Sequence, residues 1–274
     1  MWIHREQLLE SGKNAGNQGT GFASVETFSL YTNEDDCLKG CDKNPFLGSR
    51  FFCIIQNMKK YLLFDLDGTL TDSQIGILNA FEYCFESFGI KKDKEVLKTF
   101  IGPPLSDTFK RVFKFDDMQC EKATSLFREY YDSKGYLENA VYEGIKEILT
   151  RQKAEGKVLI VATSKPEKIA VPVLQHFGLE KFFDFIKGGM DDERFNQKDQ
   201  IIKMALEKAG IDGMDRDMML MVGDRNNDIM GAHKNGLQCA GVLYGYGNRS
   251  EMEENQADYI VETVEDLGKL LDRI

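Results

Sequence analysis

The sequence predicts an α/β fold: a doubly wound parallel sheet with an inserted α-helical cap. Two patterns predict it. From Tyr61 onward, short apolar runs alternate with amphipathic segments, as in a parallel sheet covered by helices on both faces. The stretch from Asp72 to about Val141 separates the first run from the next part of the core and is far too long for a single crossover helix, so something is inserted there.

Residues 1–57 read differently from the rest. Gly12, Gly16, Gly19 and Gly21 stand among polar residues with no sustained period of 3.6 or 2, which predicts a poorly ordered extension. Phe51 to Ile55 fits either a short strand or part of that extension, with folding starting near Met58. The core is then expected over 58–71 and 142–274, with the cap over 72–141. Strands are expected at Tyr61 to Phe64, Val158 to Ala162, Phe185 to Ile186, Met218 to Val222 and Ala240 to Leu243, with an edge strand at Tyr259 to Val261. In the cap, Ile75, Leu78, Phe81, Phe85 and Phe88 recur at spacings of three and four, one apolar helix face ending at Gly89. Gln119 to Lys134 is helical in pattern, and Gly102, Pro103 and Pro104 mark a rigid loop. About four cap helices are expected, with their aromatics mainly packing against one another.

The 274 residues are 42% hydrophobic, enough for a core without disulfides. A net charge of -10 argues against a broad grip on nucleic acid or anionic lipid, whose binding surfaces are basic. No apolar run has the roughly 18 to 20 residues that span a bilayer, and the first thirty residues lack a signal peptide's apolar stretch. A cytoplasmic protein with no membrane partner is expected, its six irregularly spaced cysteines reduced. Cys37 and Cys41 form the only close pair, and no histidine stands near them to complete a zinc site.

The chemistry is concentrated where the first strand ends. Tyr61-Leu-Leu-Phe-Asp65-Leu-Asp67-Gly68-Thr69 places two acids directly after an apolar run, where parallel sheets bind ligands. Carboxylates that close repel unless a cation neutralises them or one holds a proton. A calcium loop also begins Asp-x-Asp, but it needs glycine at its sixth position and glutamate at its twelfth; counted from Asp65, those places hold Leu70 and Gly76. Gly241, Gly245 and Gly247 do not fit a dinucleotide fingerprint.

Asp65-Leu-Asp67-Gly68-Thr69 resembles the first motif of the haloacid dehalogenase-like hydrolases. Val158-Leu-Ile-Val-Ala-Thr163-Ser164-Lys165-Pro166 looks like the second, and Lys198 like the third, although Asp199 follows where phosphatases of the family usually have proline. Met218-Met-Leu-Met-Val-Gly223-Asp224-Arg-Asn-Asn-Asp228 is similar to the fourth. The resemblance spans about Lys59 to Asp272 and implies a Rossmann-like core. It implies Asp65 as a nucleophile that forms an aspartyl-phosphate, and Asp67 as the general acid and base. Thr163 would hold phosphoryl oxygens and Lys198 would balance their charge. Mg2+ would be held by Asp65, Asp224 and the main-chain carbonyl of Asp67, with Asp228 binding it directly or through a metal-bound water.

The motif set most resembles phosphoglycolate phosphatases, which implies hydrolysis of a small phosphorylated metabolite; a monomer or homodimer is expected. Ser164, the Gly102 loop, the aromatics near Phe81 and Tyr83, and Arg128 are candidates for reading the substrate, and Arg225 could face it or serve as a structural partner of the acids. The alternatives are a nucleoside 5'-monophosphate phosphatase, a phosphosugar mutase and a phosphate-binding protein without turnover.

Overall fold

The computed structural model describes residues 58–98, 100–101, 105–190 and 196–274. The expectations for the N-terminal extension and for the Gly102-Pro103-Pro104 loop therefore lie outside the described residues.

All six predicted runs form strands of one parallel sheet: β1 (Tyr61–Phe64), β4 (Val158–Pro166), β5 (Phe185–Gly189), β6 (Met219–Gly223), β7 (Gln238–Val242) and β8 (Tyr259–Val261). Their order is β5-β4-β1-β6-β7-β8. Every residue of β1 is buried, since the strand has a neighbour on each side and helices over both faces. Alternation divides it between two cores. Leu62 and Phe64 pack with Ile148 and Leu149 of α5 (Ile145–Ala154) and with Val173 and Leu174 of α6 (Glu167–His176). Tyr61 and Leu63 pack with Ile201 and Ile202 of α7 (Lys198–Lys208) and with Ile229 of α8 (Asn226–Lys234).

This strand order fixes where a ligand can bind. From β1 the chain moves outward through β4 and β5, then crosses to β6 on the other side of β1, so the order reverses at β1. The connections leave a crevice at the carboxyl ends of β1 and β6, the preferred ligand site of open parallel sheets. Asp65 follows β1, and Asp224 follows β6.

The insertion leaves and re-enters the core through a short antiparallel pair, β2 (Thr71–Asp72) with β3 (Ala140–Val141). Between them lie α1 (Gln74–Glu86), α2 (Lys94–Lys98), α3 (Leu105–Phe113) and α4 (Asp117–Ser133). α4 starts two residues earlier than its apolar pattern suggests. Asp116 accepts from the Gln119 amide while the Gln119 side chain accepts from the Asp116 amide, a capping box that extends the helix. Phe81 is the centre of the cap core, in contact with Phe85, Phe100, Phe109 and Phe127 at ring separations of 5.0–6.2 Å. One member of the expected stripe is misplaced: Ile75 is 63% exposed, whereas its neighbour Gly76 is buried close to the Gly135 carbonyl. Among the described residues, no helix is long and apolar enough to cross a membrane.

Candidate active site

The site begins with the departure of the chain from β1. The Asp65 amide donates to the Val222 carbonyl at 3.0 Å, the last link between β1 and β6. The turn that follows is closed by the Thr69, Leu70 and Thr71 amides on the Leu66 carbonyl. Gly68 has φ +82°, and a Cβ there would sit 2.2 Å from Asp224 Oδ2. Both the left-handed backbone and the close approach of an acid require glycine. Gly68→Ala is therefore expected to displace Asp224 and reduce any activity of this site at least tenfold, with a lowered melting temperature. Activity and melting temperature equal to those of the wild type would refute it.

Three carboxylates meet at this edge. Oxygens of Asp65, Asp224 and Asp228 all lie within 4.8 Å of one another, with Asp224 and Asp228 buried. Burial, reinforced by repulsion from Asp228 and Asp65, pushes Asp224 well above the ordinary carboxylate range. Asp228 is also raised, chiefly by burial, although the adjacent Lys198 opposes the shift. Lys198, at the start of α7, places Nζ 2.9 Å from Asp65 Oδ2 and 2.8 Å from Asp228 Oδ1. Burial alone would lower the Lys198 ammonium, but attraction to Asp228 and Asp65 outweighs this and holds it above its usual value. The contact with Asp228 is an ion pair off the hydrogen-bond line, so Oδ1 is buried without an aligned donor. One ammonium among three clustered acids leaves an excess of negative charge. The all-oxygen donors, the raised Asp224 and the unaligned Asp228 oxygen together fit a hard divalent cation.

Asp67 takes a different direction. Its two carboxylate oxygens accept from Lys165 Nζ at 3.0 and 2.8 Å, and its side chain is not part of the three-acid cluster. Thr163 is buried on the extension of β4, and its hydroxyl accepts from the Lys165 amide at 3.2 Å. Ser164 is exposed and donates to the Asn196 carbonyl at 3.1 Å.

A cavity of about 300 Å3 lies beside these groups and is lined by Asp65, Asp67, Thr163, Ser164, Lys198, Asp224 and Asp228 from the core. From the cap, Phe81, Phe127 and Arg128 reach it. Tyr83 does not; its hydroxyl donates to Glu129 on the outer face of the cap. Arg225 lines the cavity, yet its guanidinium is occupied by Glu251 at 2.9 Å and by the Ile101 carbonyl at 2.7 Å.

With this geometry in place, comparison with known proteins is specific. The family profile for haloacid dehalogenase-like hydrolases matches residues 62–242. The chain belongs to the haloacid dehalogenase-like hydrolase family. A 5'-nucleotidase of Pseudomonas aeruginosa is 35% identical over 212 residues, 77% of this chain and 95% of that protein. Phosphoglycolate phosphatase 1 of the same organism is 28% identical, covering 81% of each chain. The crystal structure of a candidate phosphatase from Clostridium difficile superposes with a TM-score of 0.73 at 45% identity, covering 78% of this chain and 99% of that one. These likenesses place the chain among the phosphoric monoester hydrolases of the haloacid dehalogenase-like family.

Three further residues adjoin the candidate site. Lys165 lies inside the second motif, on β4. Its signal was a cation two residues past Thr163 on a strand extension, which alternation returns to the same side. Tyr131, on α4, accepts a hydrogen bond from Lys165 Nζ, and burial pushes its phenol up to about 12. Tyr246 donates its amide to Asp224 Oδ2 at 2.9 Å, while its hydroxyl accepts from the Ser73 amide at 2.8 Å and lies 3.1 Å from Asp72 Oδ1. It thus ties the acid cluster to the start of the cap. The glycines around it serve this approach: a Cβ on Gly245 would lie 2.2 Å from the Gly68 carbonyl oxygen.

Proposed function

We propose that the chain is a cytoplasmic, magnesium-dependent phosphatase that hydrolyses a small phosphomonoester through an aspartyl-phosphate on Asp65. The observation that carries this reading is the convergence of Asp65, Thr163, Lys198, Asp224 and Asp228 on one side of a cavity, with Asp67 beside them. Asp65, Asp224 and Asp228 would hold the ion, with the Asp67 main-chain carbonyl as a further oxygen donor. A bound magnesium ion would offset the charge that repels an anionic nucleophile from a phosphate ester.

The chain's own residues account for the remaining steps. An Asp65 carboxylate oxygen attacks phosphorus, and the bond from phosphorus to the ester oxygen breaks. That oxygen leaves with the electron pair and takes a proton from Asp67. Lys198 and the Thr163 hydroxyl steady the phosphoryl oxygens while charge moves. Water then attacks the phosphorus of the acyl phosphate, Asp67 removes its proton, and the Asp65 carboxylate is released with inorganic phosphate.

Phosphoglycolate is the first reading of the leaving group, with Arg128 on the cap side of the cavity to meet its carboxylate. A nucleoside 5'-monophosphate is the second, favoured by the apolar and aromatic side chains Ile77, Phe100, Leu105 and Phe127 on the same wall. Phosphate release from a panel of phosphoglycolate, nucleoside monophosphates and sugar phosphates, with magnesium or with chelator, tests both. Magnesium-dependent turnover is expected, and the ranking of the panel names the leaving group. No release from any ester would overturn the phosphatase reading in favour of a mutase or a binding protein.

A further inference from the structure

We propose that Lys165 is a positioning residue that orients the Asp67 carboxylate, and that Tyr131 of the cap helix α4 anchors it. The proposal rests on the phosphatase reading above, in which Asp67 exchanges protons with the leaving group and with water.

The geometry assigns every donor of Lys165. An ammonium has three N–H groups and no acceptor. Two of them meet the two oxygens of Asp67, at 3.0 and 2.8 Å, and the third is directed to the Tyr131 hydroxyl. The Lys165 side chain is 4% exposed, and its Nζ also lies 4.7 Å from the centre of the Tyr131 ring. With its capacity filled, Lys165 has no donor left for a phosphoryl oxygen. Its position on the strand extension two residues after Thr163 would otherwise suggest that role. Lys198 differs in this respect, since its ammonium reaches Asp65 and Asp228 in the acid cluster itself.

Gripping both oxygens of Asp67 fixes the plane of its carboxylate, which a single hydrogen bond would leave free to turn. The anchor is firm on both sides. Lys165 extends from β4, paired with β1 and β5, and Tyr131 stacks on Phe127 in the cap core with ring centres 5.6 Å apart. Asp67 is thereby oriented by a contact between core and cap, so its alignment depends on the cap being seated. Proton transfer is sensitive to such placement, and a displacement of about 1 Å can cost on the order of a hundredfold.

Quench-flow kinetics with 4-nitrophenyl phosphate separate this role from simple stabilisation. Its leaving group departs without help from an acid, so formation of the phospho-enzyme does not need Asp67, whereas hydrolysis of the phospho-enzyme does. In Lys165→Met, the first-turnover burst of nitrophenolate is expected to persist, approaching one per enzyme, while steady-state turnover falls about tenfold to a hundredfold. Tyr131→Phe keeps the ring and loses the anchor, so a loss of about threefold to tenfold in the same step is expected. In an Asp67→Asn background, Lys165→Met should cost less than about twofold further, because a residue acting through Asp67 has nothing left to orient.

Equal loss of burst and steady state in Lys165→Met would overturn the proposal. So would a full additional loss in the Asp67→Asn background, or unchanged turnover in both Lys165→Met and Tyr131→Phe. If Lys165→Met does not fold, Tyr131→Phe and its combination with Asp67→Asn give the same readings. A wild type that releases neither nitrophenolate nor phosphate would instead remove the phosphatase reading, which distinguishes the two failures.

Discussion

Asp65→Asn is expected to reduce phosphate release by roughly three orders of magnitude or more, leaving no measurable burst with any ester. The substitution keeps the shape of the side chain and replaces its nucleophilic carboxylate with an amide. The loss should therefore fall on the chemical step, and the protein should remain folded. Removing the Asp65 charge also relieves one cause of the upward shift at Asp224. The melting temperature without divalent cation should accordingly equal or exceed that of the wild type, and the gain on adding magnesium should shrink. Phosphate release and melting curves on the same preparations check both. Turnover within tenfold of the wild type would remove Asp65 as the nucleophile.

Lys198→Met should damage both activity and stability. Its ammonium faces Asp65 and Asp228 from a buried position, so an apolar replacement of similar length leaves those two acids without the ammonium that they share. Breaking a buried ion pair by removing one partner typically costs about 3–5 kcal/mol, and turnover should fall by about a hundredfold or more. The pH dependence follows from Asp224 and Asp228, both raised from an ordinary value of 3.8. Above that value, and up to the raised ones, the folded chain binds more protons at these groups than the unfolded chain. Their contribution to stability therefore declines as pH rises through this window and is recovered on acidification. Without Lys198 the decline should steepen, and magnesium should offset part of it at neutral pH by favouring the charged folded state. Melting temperatures of Lys198→Met and wild type from about pH 4 to pH 8, with chelator and with magnesium, test this. A variant whose deficit is the same at every pH would show that Lys198 acts by packing alone.

The two lysines of the site show how adjacent features can serve different ends. Lys198 faces the three clustered acids. Lys165 approaches Asp67 from the end of β4 and is tied to the cap. An ion held by the three carboxylates would thus leave Asp67 apart from its ligand side chains, consistent with one acid attacking phosphorus and another moving protons.

The features legible in the sequence are mostly those carried by near neighbours along the chain. Apolar runs with turn residues between them specify strands, because alternation and burial act over a few residues, and all six strands were legible on that basis. Asp65 and Thr163 were legible because a strand end delivers the next residues to the sheet's carboxyl edge. Asp228 was legible because four residues from Asp224 return a side chain to one side of a helical turn. The length of the gap after Asp72 required an insertion, and its three- and four-residue spacings made it helical. The same period places Ile75 in the buried stripe, yet Gly76 is the residue of that turn that is buried, because periodicity sets the spacing of a stripe and not which residues at its end meet a neighbour.

Which distant residues meet depends on how the folded elements pack. Tyr131 and Lys165 are 34 positions apart and belong to different parts of the fold, so nothing in local spacing brings one hydroxyl to the other's ammonium. The Lys165 grip on Asp67 spans 98 positions and depends on β4 pairing with β1 in the observed register. Gly245 fits no nucleotide fingerprint; the loop after β7 brings it against Gly68 and Asp224, where no Cβ fits. Strand ends and helix turns are set by steric and hydrogen-bond rules that act within a few residues. The pairing of charges across the site is set by sheet order and cap docking, and these exist only once the chain has folded.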